Sequence, residues 1–510
     1  MYSRIISGLA LGIEGSLITV ETDISPGLPG FSLVGSLSSS AREAGERVRS
    51  ALRHTGITLP ARKITVNLAP ADLRKEGTAY DLAIAVSILG ALDILPEENF
   101  QRKILYLGEL SLDGSLLAVP GVLPVVHAAV LSGVTEVILP TDNAAEAALI
   151  PEAKVYPAES LQSVIHMLSG ARPFTPYVPE KTAESPMQAF HDIREVRGQE
   201  TLKRGMTLAA AGFHNILMTG AAGAGKSLIA KCLPGIQPEM TPAEQLVTTK
   251  IYSVAGRIRD GGLVTERPFR SPHHTITMSA LIGGGNDARP GEVSLASGGV
   301  LFLDEFPEFR TQVIESLRQP LEDRYVTISR MRASYTYPAN FMLAAARNNC
   351  PCGYYPDRMR CRCSEREIIH YRNRISQPIM DRIDLSLAVR PVSFSELTEE
   401  RDGISSREVR DIVTAARERQ SFRYREETFT NNSELPQGKI EAYIPLGNAE
   451  KLLLAESFRS GEISARGYFR ILRLARTAAD VAGEENVKEE HIREALFFRN
   501  ASDAEREAWA

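Results

Sequence analysis

The sequence lacks an excess of basic residues, because its 510 residues carry a formal net charge of −5. Such a chain has no general positive field, so any contact with nucleic acid requires a local basic patch. It also lacks a long hydrophobic run, since the most apolar stretch, residues 82–95, is too short and too interrupted to span a bilayer. The N-terminal MYSRIISGLALGIEG has no small-residue cleavage site and predicts a strand. We therefore expect a cytoplasmic protein without a membrane partner.

Cysteine is scarce, and four of the five cysteines fall in one short segment. This clustering favours a metal site in a reducing compartment over a disulfide framework. The candidate zinc ligands are Cys350, Cys352, Cys361 and Cys363. Four thiolates can close a tetrahedral Zn²⁺ site, although Cys-x-Cys spacing is less usual than Cys-x-x-Cys. Four reduced cysteines that pack a loop without a metal are the alternative.

The apolar pattern divides the chain into four segments. Residues 1–170 alternate strand-like runs, among them 64–70 and 103–110, with amphipathic helical runs. Residues 171–187 are rich in proline and polar residues and predict a linker. Residues 188–390 alternate hydrophobic strands with helices, which is typical of a parallel sheet covered on both faces. Residues 391–510 carry helical spacing and predict a helical domain.

The segment TGAAGAGKS, residues 219–227, has the Gly-x₄-Gly-Lys-Ser pattern of a P-loop between a strand-like run and a helix-like run. Glycines let backbone N–H groups surround phosphate oxygens, and the following helix N-terminus adds partial positive charge. Lys226 is expected to contact the β- and γ-phosphates, and Ser227 to bind Mg²⁺. A small-residue turn after a buried strand is the alternative. The candidate nucleotide-binding residues are Gly220, Ala221, Ala222, Gly223, Ala224, Gly225, Lys226, Ser227 and Asp304.

Polar residues end the next two hydrophobic runs. In GVLFLDEF, residues 299–306, we expect Asp304 to bind Mg²⁺ through water and Glu305 to polarise the attacking water. The alternative is an acidic surface turn. The run FMLAAARN ends at Asn348, which either orients that water or only caps its strand.

Two arginines and a histidine pair complete the candidates. Arg382 in MDRIDL and Arg466 in SARGYFR offer positive charge for the developing phosphate, although isolated arginines more often form surface ion pairs of little worth. The paired histidines of RSPHHTI, residues 270–276, predict a loop that contacts substrate or a neighbouring subunit. A metal site is the weaker alternative there, because no third ligand is close in sequence.

Taken in order, these motifs resemble the YifB/ComM family of Mg-chelatase-like AAA+ ATPases, and the resemblance covers nearly the whole chain. It also rests on KITVNLAPADLRKEGTAYDLAIA, FRSPHHTIT, RPGEVSLASGGVLFLDEFPEF and the CPCGYY and CRC block. The P-loop departs from the family's usual GPPGSGKT but keeps the glycines, the lysine and a hydroxyl. The resemblance implies an α/β fold: an AAA+ P-loop NTPase core with a helical lid, preceded by a Lon-protease-like (S5-type) α/β domain.

The resemblance also implies roles for single residues. Asn348 is similar to sensor 1, Arg382 to an arginine finger that completes a neighbour's site, and Arg466 to the sensor-2 arginine. A finger of this kind implies a ring, expected to be a homo-hexamer, and residues 196–199 are similar to the segment that lies against adenine. Related helicase rings place a hairpin before sensor 1 in the central pore. Here YVTIS and SYTYP flank Arg330 and Arg332, which are candidate DNA contacts or a solvated tip.

The N-terminal segment resembles the Lon-type fold but lacks its Ser–Lys dyad. Ala79 and Val125 stand where the serine and the lysine would lie, and neither side chain can attack a carbonyl or take a proton. We expect the fold without proteolysis. Arg74 and Lys75 in DLRKEG either contact DNA or a partner, or belong to an ordinary charged loop.

The expected function is an ATP-dependent motor on single-stranded or branched DNA, with ATP and Mg²⁺ as cofactors and Zn²⁺ as a candidate third. The resemblance implies branch migration or helicase activity in recombination or natural transformation. The first alternative, a Mg-chelatase-type motor subunit, is disfavoured by the N-terminal domain and the cysteine block. The second is a nucleotide-gated adaptor that remodels proteins. Stimulation of hydrolysis by forked DNA separates the motor from both alternatives.

Overall fold

The computed structural model describes residues 1–179, 190–258, 261–285, 288–329, 334–391, 403–460 and 463–507. The N-terminal strands are β1 (Tyr2–Leu11), β2 (Glu14–Ser25), β3 (Gly30–Val34), β4 (Lys63–Ala69), β5 (Ile104–Tyr106), β6 (Glu109–Leu110), β7 (Leu116–Leu117), β8 (Glu136–Pro140) and β9 (Lys154–Ala158). The helices are α1 (Ser39–His54), α2 (Asp81–Ala91), α3 (Glu98–Gln101), α4 (Val122–Leu131), α5 (Ala144–Ala147) and α6 (Leu161–Leu168). Seven strands form a mixed sheet in the order β3-β4-β2-β1-β5-β8-β9.

Local sequence explains the main N-terminal elements. Helix α1 begins after Ser38, whose hydroxyl accepts a hydrogen bond from Ala41 N at 3.2 Å, as an N-cap does. Helix α2 is apolar on nearly all sides and is accordingly buried along nearly its whole length. Strand β4 alternates buried and less buried residues, because one of its faces covers the core.

The single strand expected over residues 103–110 is wrong. Strand β5 ends at Tyr106, while β6 pairs with β7 in a separate hairpin. Between them Gly108 has φ +149°, and its carbonyl accepts a hydrogen bond from Leu82 N at 3.1 Å. The glycine lets the chain turn away from the sheet, so a continuous apolar run becomes two elements.

The central part contains a parallel sheet. Its strands are β10 (Ile216–Gly220), β11 (Phe269–Arg270), β12 (Gly283–Gly284), β13 (Arg289–Pro290), β14 (Val300–Leu303), β15 (Tyr325–Ser329), β16 (Ser334–Pro338), β17 (Met342–Arg347) and β18 (Leu385–Val389). Its helices are α7 (Glu200–Gly212), α8 (Lys226–Ile236), α9 (Pro242–Val254), α10 (Met278–Ile282), α11 (Glu292–Leu295), α12 (Thr311–Glu315), α13 (Arg318–Asp323), α14 (Glu365–Arg372) and α15 (Gln377–Met380). Five strands run parallel in the order β11-β14-β17-β10-β18. The hydrophobic strands predicted within residues 188–390 are thus confirmed, and their carboxyl ends share one edge.

The C-terminal part is helical, as predicted. Its helices are α16 (Ser406–Arg423), α17 (Ile440–Tyr443), α18 (Asn448–Arg459), α19 (Ala465–Ala482) and α20 (Glu489–Glu507). One hydrophobic cluster joins Met218 of β10 to Val413 of α16 and Ile471 of α19, so the helices and the sheet share a core. Within the described ranges, no helix is long and apolar enough to cross a membrane.

A buried carboxylate ties the start of β18 to the helical part. Asp384 accepts hydrogen bonds from Arg470 Nη1 at 2.6 Å and from Asn215 N at 2.9 Å. Burial opposes its ionisation, but Arg470 and His214 outweigh burial and hold the pKa of Asp384 well below its ordinary value. The ionised carboxylate therefore anchors the amino-terminal edge of the sheet.

The N-terminal domain also packs against the central part. Glu146 accepts hydrogen bonds from Leu123 N at 3.0 Å and from the hydroxyl of Ser253 in α9. Elsewhere the hydroxyl of Tyr335 in β16 donates to Glu76 Oε2 at 3.3 Å. The hairpin β15–β16 thus rests on the N-terminal domain.

Candidate nucleotide-binding site

The P-loop lies between β10 and α8, as predicted. Gly223 and Gly225 have φ of +77° and +89°, in the left-handed region that favours glycine. A Cβ added to either residue would meet no atom within 4 Å, so the loop borders open space. With the start of α8 directly behind it, this loop offers backbone N–H groups to an anion and fits a nucleotide phosphate.

Lys226 lies at the centre of the site. Its Nζ donates hydrogen bonds to Gly220 O at 2.9 Å, to Ala221 O at 2.8 Å and to Asn348 Oδ1 at 2.9 Å. Burial lowers the pKa of Lys226, while the nearby carboxylates oppose that shift. Lys226 and Asn348, two candidate residues that follow separate strands, are therefore in direct contact.

The predicted Mg²⁺ residues also meet. The Ser227 hydroxyl donates to Asp304 Oδ2 at 2.7 Å, and Asp304 Oδ1 accepts a hydrogen bond from Glu305 N at 2.9 Å. A hydroxyl beside a carboxylate is an oxygen donor set that suits Mg²⁺ next to a phosphate. The residues present therefore fit the cofactor that the P-loop implies.

Glu305 follows β14 with φ +51° and keeps a half-exposed side chain. Its Oε2 lies 3.3 Å from His274 Nδ1. The sequence indicated a contact loop for the histidine pair but missed this partner, because the two segments are far apart along the chain. The His273 and His274 rings lie 4.1 Å apart between centroids, so the pair forms one wall beside the carboxylate.

Arg382 and Arg466 come together, but not at the P-loop of their own chain. The carbonyl of Arg382, just before β18, accepts from Asn215 Nδ2 at 3.0 Å, just before β10. Arg382 pairs with Glu322, and Arg466 Nη1 lies 3.6 Å from Asp381 Oδ2. Both arginines thus lie at the amino-terminal edge of the sheet, about 16 Å of strand from the P-loop.

The two arginines line a charged cavity of about 480 Å³. Its other charged lining residues are Glu322, Arg324, Asp381, Asp384, Glu434, Arg470 and Arg473. The Nε of Arg382 is buried and has no hydrogen-bond partner among the residues that the structure describes. The guanidinium therefore keeps a donor that the described part of its own chain does not satisfy.

The segment similar to an adenine contact borders a smaller cavity. Gln199 and Leu202 line a space of about 270 Å³ together with Leu387 and Phe498. The Oε1 atom of Gln199 is buried, and no residue within the described ranges donates a hydrogen bond to it. Arg390, which also lines this space, follows the carboxyl end of β18, where Val389 pairs with Gly220 of β10. The space therefore adjoins the P-loop edge of the sheet and fits a flat ring with polar edges.

The four clustered cysteines converge. Their Sγ atoms all lie within 4.8 Å of one another, with Cys350 to Cys361 at 3.7 Å and Cys352 to Cys361 at 3.6 Å. Zn–S bonds of about 2.3 Å give tetrahedral edges of about 3.8 Å, close to these separations. Burial opposes ionisation of Cys352, but the backbone N–H of Tyr354 and the neighbouring thiols outweigh it and lower the pKa of Cys352 to about 6. The cluster is an arrangement of free thiols that fits a tetrahedral metal ion.

In the N-terminal domain, Ala79 and Val125 belong to one apolar cluster. The position of the Lon-type dyad is therefore filled by hydrocarbon side chains. Lys75 is fully buried, and its Nζ donates to Pro70 O, so the alternative in which Lys75 contacts DNA or a partner is wrong. Arg74 pairs with Glu76 at 3.1 Å. The burial of Lys75 could not be read from the charged phrase DLRKEG.

Arg330 and Arg332 lie outside the described residues. The strands that flank them are confirmed, since β15 and β16 pair antiparallel from Tyr325↔Pro338 to Ser329↔Ser334. The prediction that the two arginines contact DNA stays a prediction.

Family models match most of the chain. "Magnesium chelatase, subunit ChlI" matches residues 192–397, "Subunit ChlI of Mg-chelatase" matches 20–143, and "Magnesium chelatase, subunit ChlI C-terminal" matches 403–499. The central match contains the P-loop, the β14 carboxylates, Asn348 and Arg382.

Whole proteins are also similar to this chain. "Competence protein ComM" of Haemophilus influenzae is 40% identical over 503 residues, which is 98% of this chain and 97% of that protein. "Uncharacterized protein YifB" of Salmonella typhimurium is 40% identical over 495 residues, 96% of this chain and 95% of that protein. "Lon protease" of Azorhizobium caulinodans is 28% identical over 175 residues, 32% of this chain and 20% of that protein.

Proposed function

This chain belongs to the YifB/ComM family of Mg-chelatase-like AAA+ ATPases, and from that premise we propose that it is an ATP-driven motor that remodels branched DNA. One observation supports the ATP-hydrolysing part of the proposal, and the DNA-remodelling part rests on the similarity to ComM. Lys226, Asn348 and Ser227 with its partner Asp304 come from three neighbouring strand ends and meet within hydrogen-bond distance. That arrangement suits phosphoryl transfer to water, where positioning and charge stabilisation provide the catalysis.

Each residue has one task in the proposed hydrolysis. Lys226 holds phosphate oxygens, and Asn348 fixes the Lys226 ammonium through the 2.9 Å contact of the side chains. Glu305 orients the attacking water and accepts its proton, and His274 steadies that carboxylate from 3.3 Å. Ser227 and Asp304 would hold Mg²⁺, which would supply positive charge to neutralise the phosphates.

The proposed site is completed by a second copy of the chain. Arg382 and Arg466 share a cavity at the sheet edge opposite the P-loop, and no described residue of the same chain accepts a hydrogen bond from the buried Nε of Arg382. A head-to-tail ring brings the amino-terminal edge of one subunit to the P-loop edge of the next. We assign both arginines to the neighbour's nucleotide in a homo-hexamer.

The motor is tested by migration of a synthetic four-way junction. Purified protein with ATP and Mg²⁺ is expected to convert the junction into two duplexes, since a ring that steps along DNA moves the branch point. Lys226→Ala protein serves as the matched control, because it keeps the surface of the ring but cannot hold phosphate. If ATP turns over but neither the junction nor forked DNA changes the rate, the DNA proposal fails and the chelatase and adaptor alternatives gain.

The hairpin β15–β16 is the proposed DNA contact, through Arg330 and Arg332. The double substitution Arg330→Ala, Arg332→Ala is expected to remove stimulation of ATP hydrolysis by forked DNA, because two phosphate contacts are lost from every subunit of the ring. The measurement is the ratio of hydrolysis rates with and without DNA. Substituting the exposed arginines Arg425 and Arg493 removes equal charge far along the chain and is expected to leave the ratio unchanged. Stimulation that survives in the hairpin variant rejects this contact.

The clustered cysteines are proposed to bind one structural Zn²⁺. We expect about one zinc per chain by elemental analysis, since four thiolates close the site. Cys361→Ser is expected to abolish the bound zinc, whereas Cys232→Ser, at a buried cysteine outside the cluster, retains it. Wild-type protein purified without stoichiometric metal contradicts the proposal.

A further inference from the structure

The cysteine loop, residues 349–363, touches the P-loop directly. The N–H of Ala222, in the middle of the P-loop, donates to Gly353 O at 3.0 Å. Gly353 lies between Cys352 and Tyr354, so the acceptor belongs to the cysteine loop itself. One P-loop N–H is therefore turned toward the cysteine loop and fixes the path of the P-loop backbone.

The cysteine loop and the P-loop also pack closely at this contact. Gly353 has φ +80°, and a Cβ added there would lie 2.8 Å from the Cβ of Ala222, closer than real Cβ contacts come. The two loops can approach this far because residue 353 is glycine. A shift of the cysteine loop by a fraction of an ångström therefore reaches the P-loop.

The start of the cysteine loop reaches the same site by a second route. Asn348, which accepts the hydrogen bond from Lys226, is separated from Cys350 by Asn349 alone. Asn349 in turn donates to Tyr355 O at 3.0 Å, inside the cysteine loop. The backbone of the P-loop thus contacts the cysteine loop directly. Its lysine contacts Asn348, the residue from which that loop leaves β17.

The cysteine loop has a small core that consists mostly of thiols. Its hydrophobic cluster contains Cys350, Cys361 and Ile368, with Tyr355 and Cys363 packed against them. So few apolar side chains provide little free energy to order a loop against its conformational entropy. A metal ion bound by four thiolates provides that free energy, as it does in small metal-stabilised domains.

We propose that metal binding by the four cysteines holds Gly353 against Ala222 and thereby sets the affinity of the P-loop for nucleotide. The inference rests on the proposed zinc site and adds a regulatory consequence to it. The metal makes no contact with nucleotide; it increases the fraction of molecules whose P-loop is in the binding-competent conformation. Apparent affinity falls in proportion to that fraction.

Metal depletion gives the direct test. The full-length protein is treated with a zinc-selective chelator under reducing conditions, and its Kd for a fluorescent ADP analogue is measured before and after. We expect about tenfold weaker binding after depletion and recovery when one equivalent of Zn²⁺ alone is returned, because the competent fraction falls to about a tenth. Circular dichroism confirms that the helices persist.

A substitution tests the contact with the metal in place. Gly353→Ala keeps all four thiols but overlaps Ala222, so we expect retained zinc with weakened ADP binding. Adding Ala222→Gly removes the overlap and is expected to restore part of the affinity. Gly133→Ala is the matched control, because Gly133 has φ +79° with no atom within 4 Å of an added Cβ. It introduces the same backbone strain without the overlap and leaves ADP binding unchanged.

The possible outcomes distinguish the coupling between metal and P-loop from the proposed zinc site on which it rests. Suppose that the protein contains one zinc per chain, but that neither zinc depletion nor Gly353→Ala changes its Kd for ADP. The proposed zinc site then stands, and the proposed coupling to the P-loop is rejected. Protein without zinc overturns both. If Gly353→Ala fails to fold, the depletion and readdition series decides alone.

Discussion

Replacing Glu305 with glutamine is expected to lower the rate of ATP hydrolysis about 100- to 10,000-fold while leaving ATP binding within a few-fold of wild type. The carboxylate follows β14 beside Asp304, which contacts Ser227, so it is placed to accept a proton from water at the γ-phosphate. Glutamine keeps the size and the hydrogen-bonding reach of the side chain but cannot take that proton. Single-turnover hydrolysis and equilibrium binding of a fluorescent ATP analogue measure the two properties separately.

Glu308→Gln is the matched control for Glu305→Gln. Glu308 lies three residues further along and pairs with Arg374 at 2.9 Å on the surface, so its substitution is expected to leave hydrolysis unchanged. Lys226→Ala provides the opposite contrast, because it removes a phosphate contact and is expected to lose binding together with turnover. A Glu305→Gln protein that hydrolyses ATP at the wild-type rate contradicts the assignment of the base.

Most of the parallel sheet and its site could be predicted from the sequence, because each strand is a short apolar run with a polar residue at its carboxyl end. Strands β10, β14 and β17 end in the P-loop, in Asp304 and near Asn348, and parallel strands bring such ends to one edge. The family resemblance and the full-length similarity to ComM and YifB agree with that prediction of the fold. The local sequence pattern and the parallel topology were sufficient to predict the sheet and the residues at its strand ends.

The rest of the site depends on contacts between distant segments, which local pattern does not encode. His274 reaches Glu305, and Gly353 meets Ala222, only because separate loops converge on the same edge. The charged phrase DLRKEG favoured an exposed position for Lys75, but tertiary packing buries it. The sequence also gave no reason to expect the two arginines in one cavity at the far edge of the sheet. Contacts between residues that are far apart in the sequence determine all of these positions.

Arg382→Ala and Arg466→Ala are each expected to lower ATP hydrolysis strongly, by about 1,000-fold for Arg382, without loss of ATP binding. The physical reason is that, in the proposed ring, a guanidinium from the neighbouring subunit would stabilise charge that develops on the transferred phosphoryl group. In the single chain both arginines are held by acidic partners, Glu322 and Asp381, and in the proposed ring they would exchange these partners for phosphate. Steady-state hydrolysis at saturating ATP measures the loss, and the exposed Arg425→Ala variant serves as the control.

Mixing the inactive variants tests which chain supplies each arginine. Arg382→Ala subunits mixed with Lys226→Ala subunits are expected to recover about a quarter of wild-type hydrolysis, because intact P-loops then meet intact arginines at a quarter of random interfaces. Arg382→Ala mixed with Arg466→Ala is expected to stay inactive, because neither variant supplies both arginines to a neighbour. Recovery in this second mixture would instead place Arg466 at the nucleotide of its own chain. If the first mixture recovers no hydrolysis although the rings are shown to exchange subunits, a neighbour does not complete the site. The charged cavity at the amino-terminal edge of the sheet then has a purely structural role.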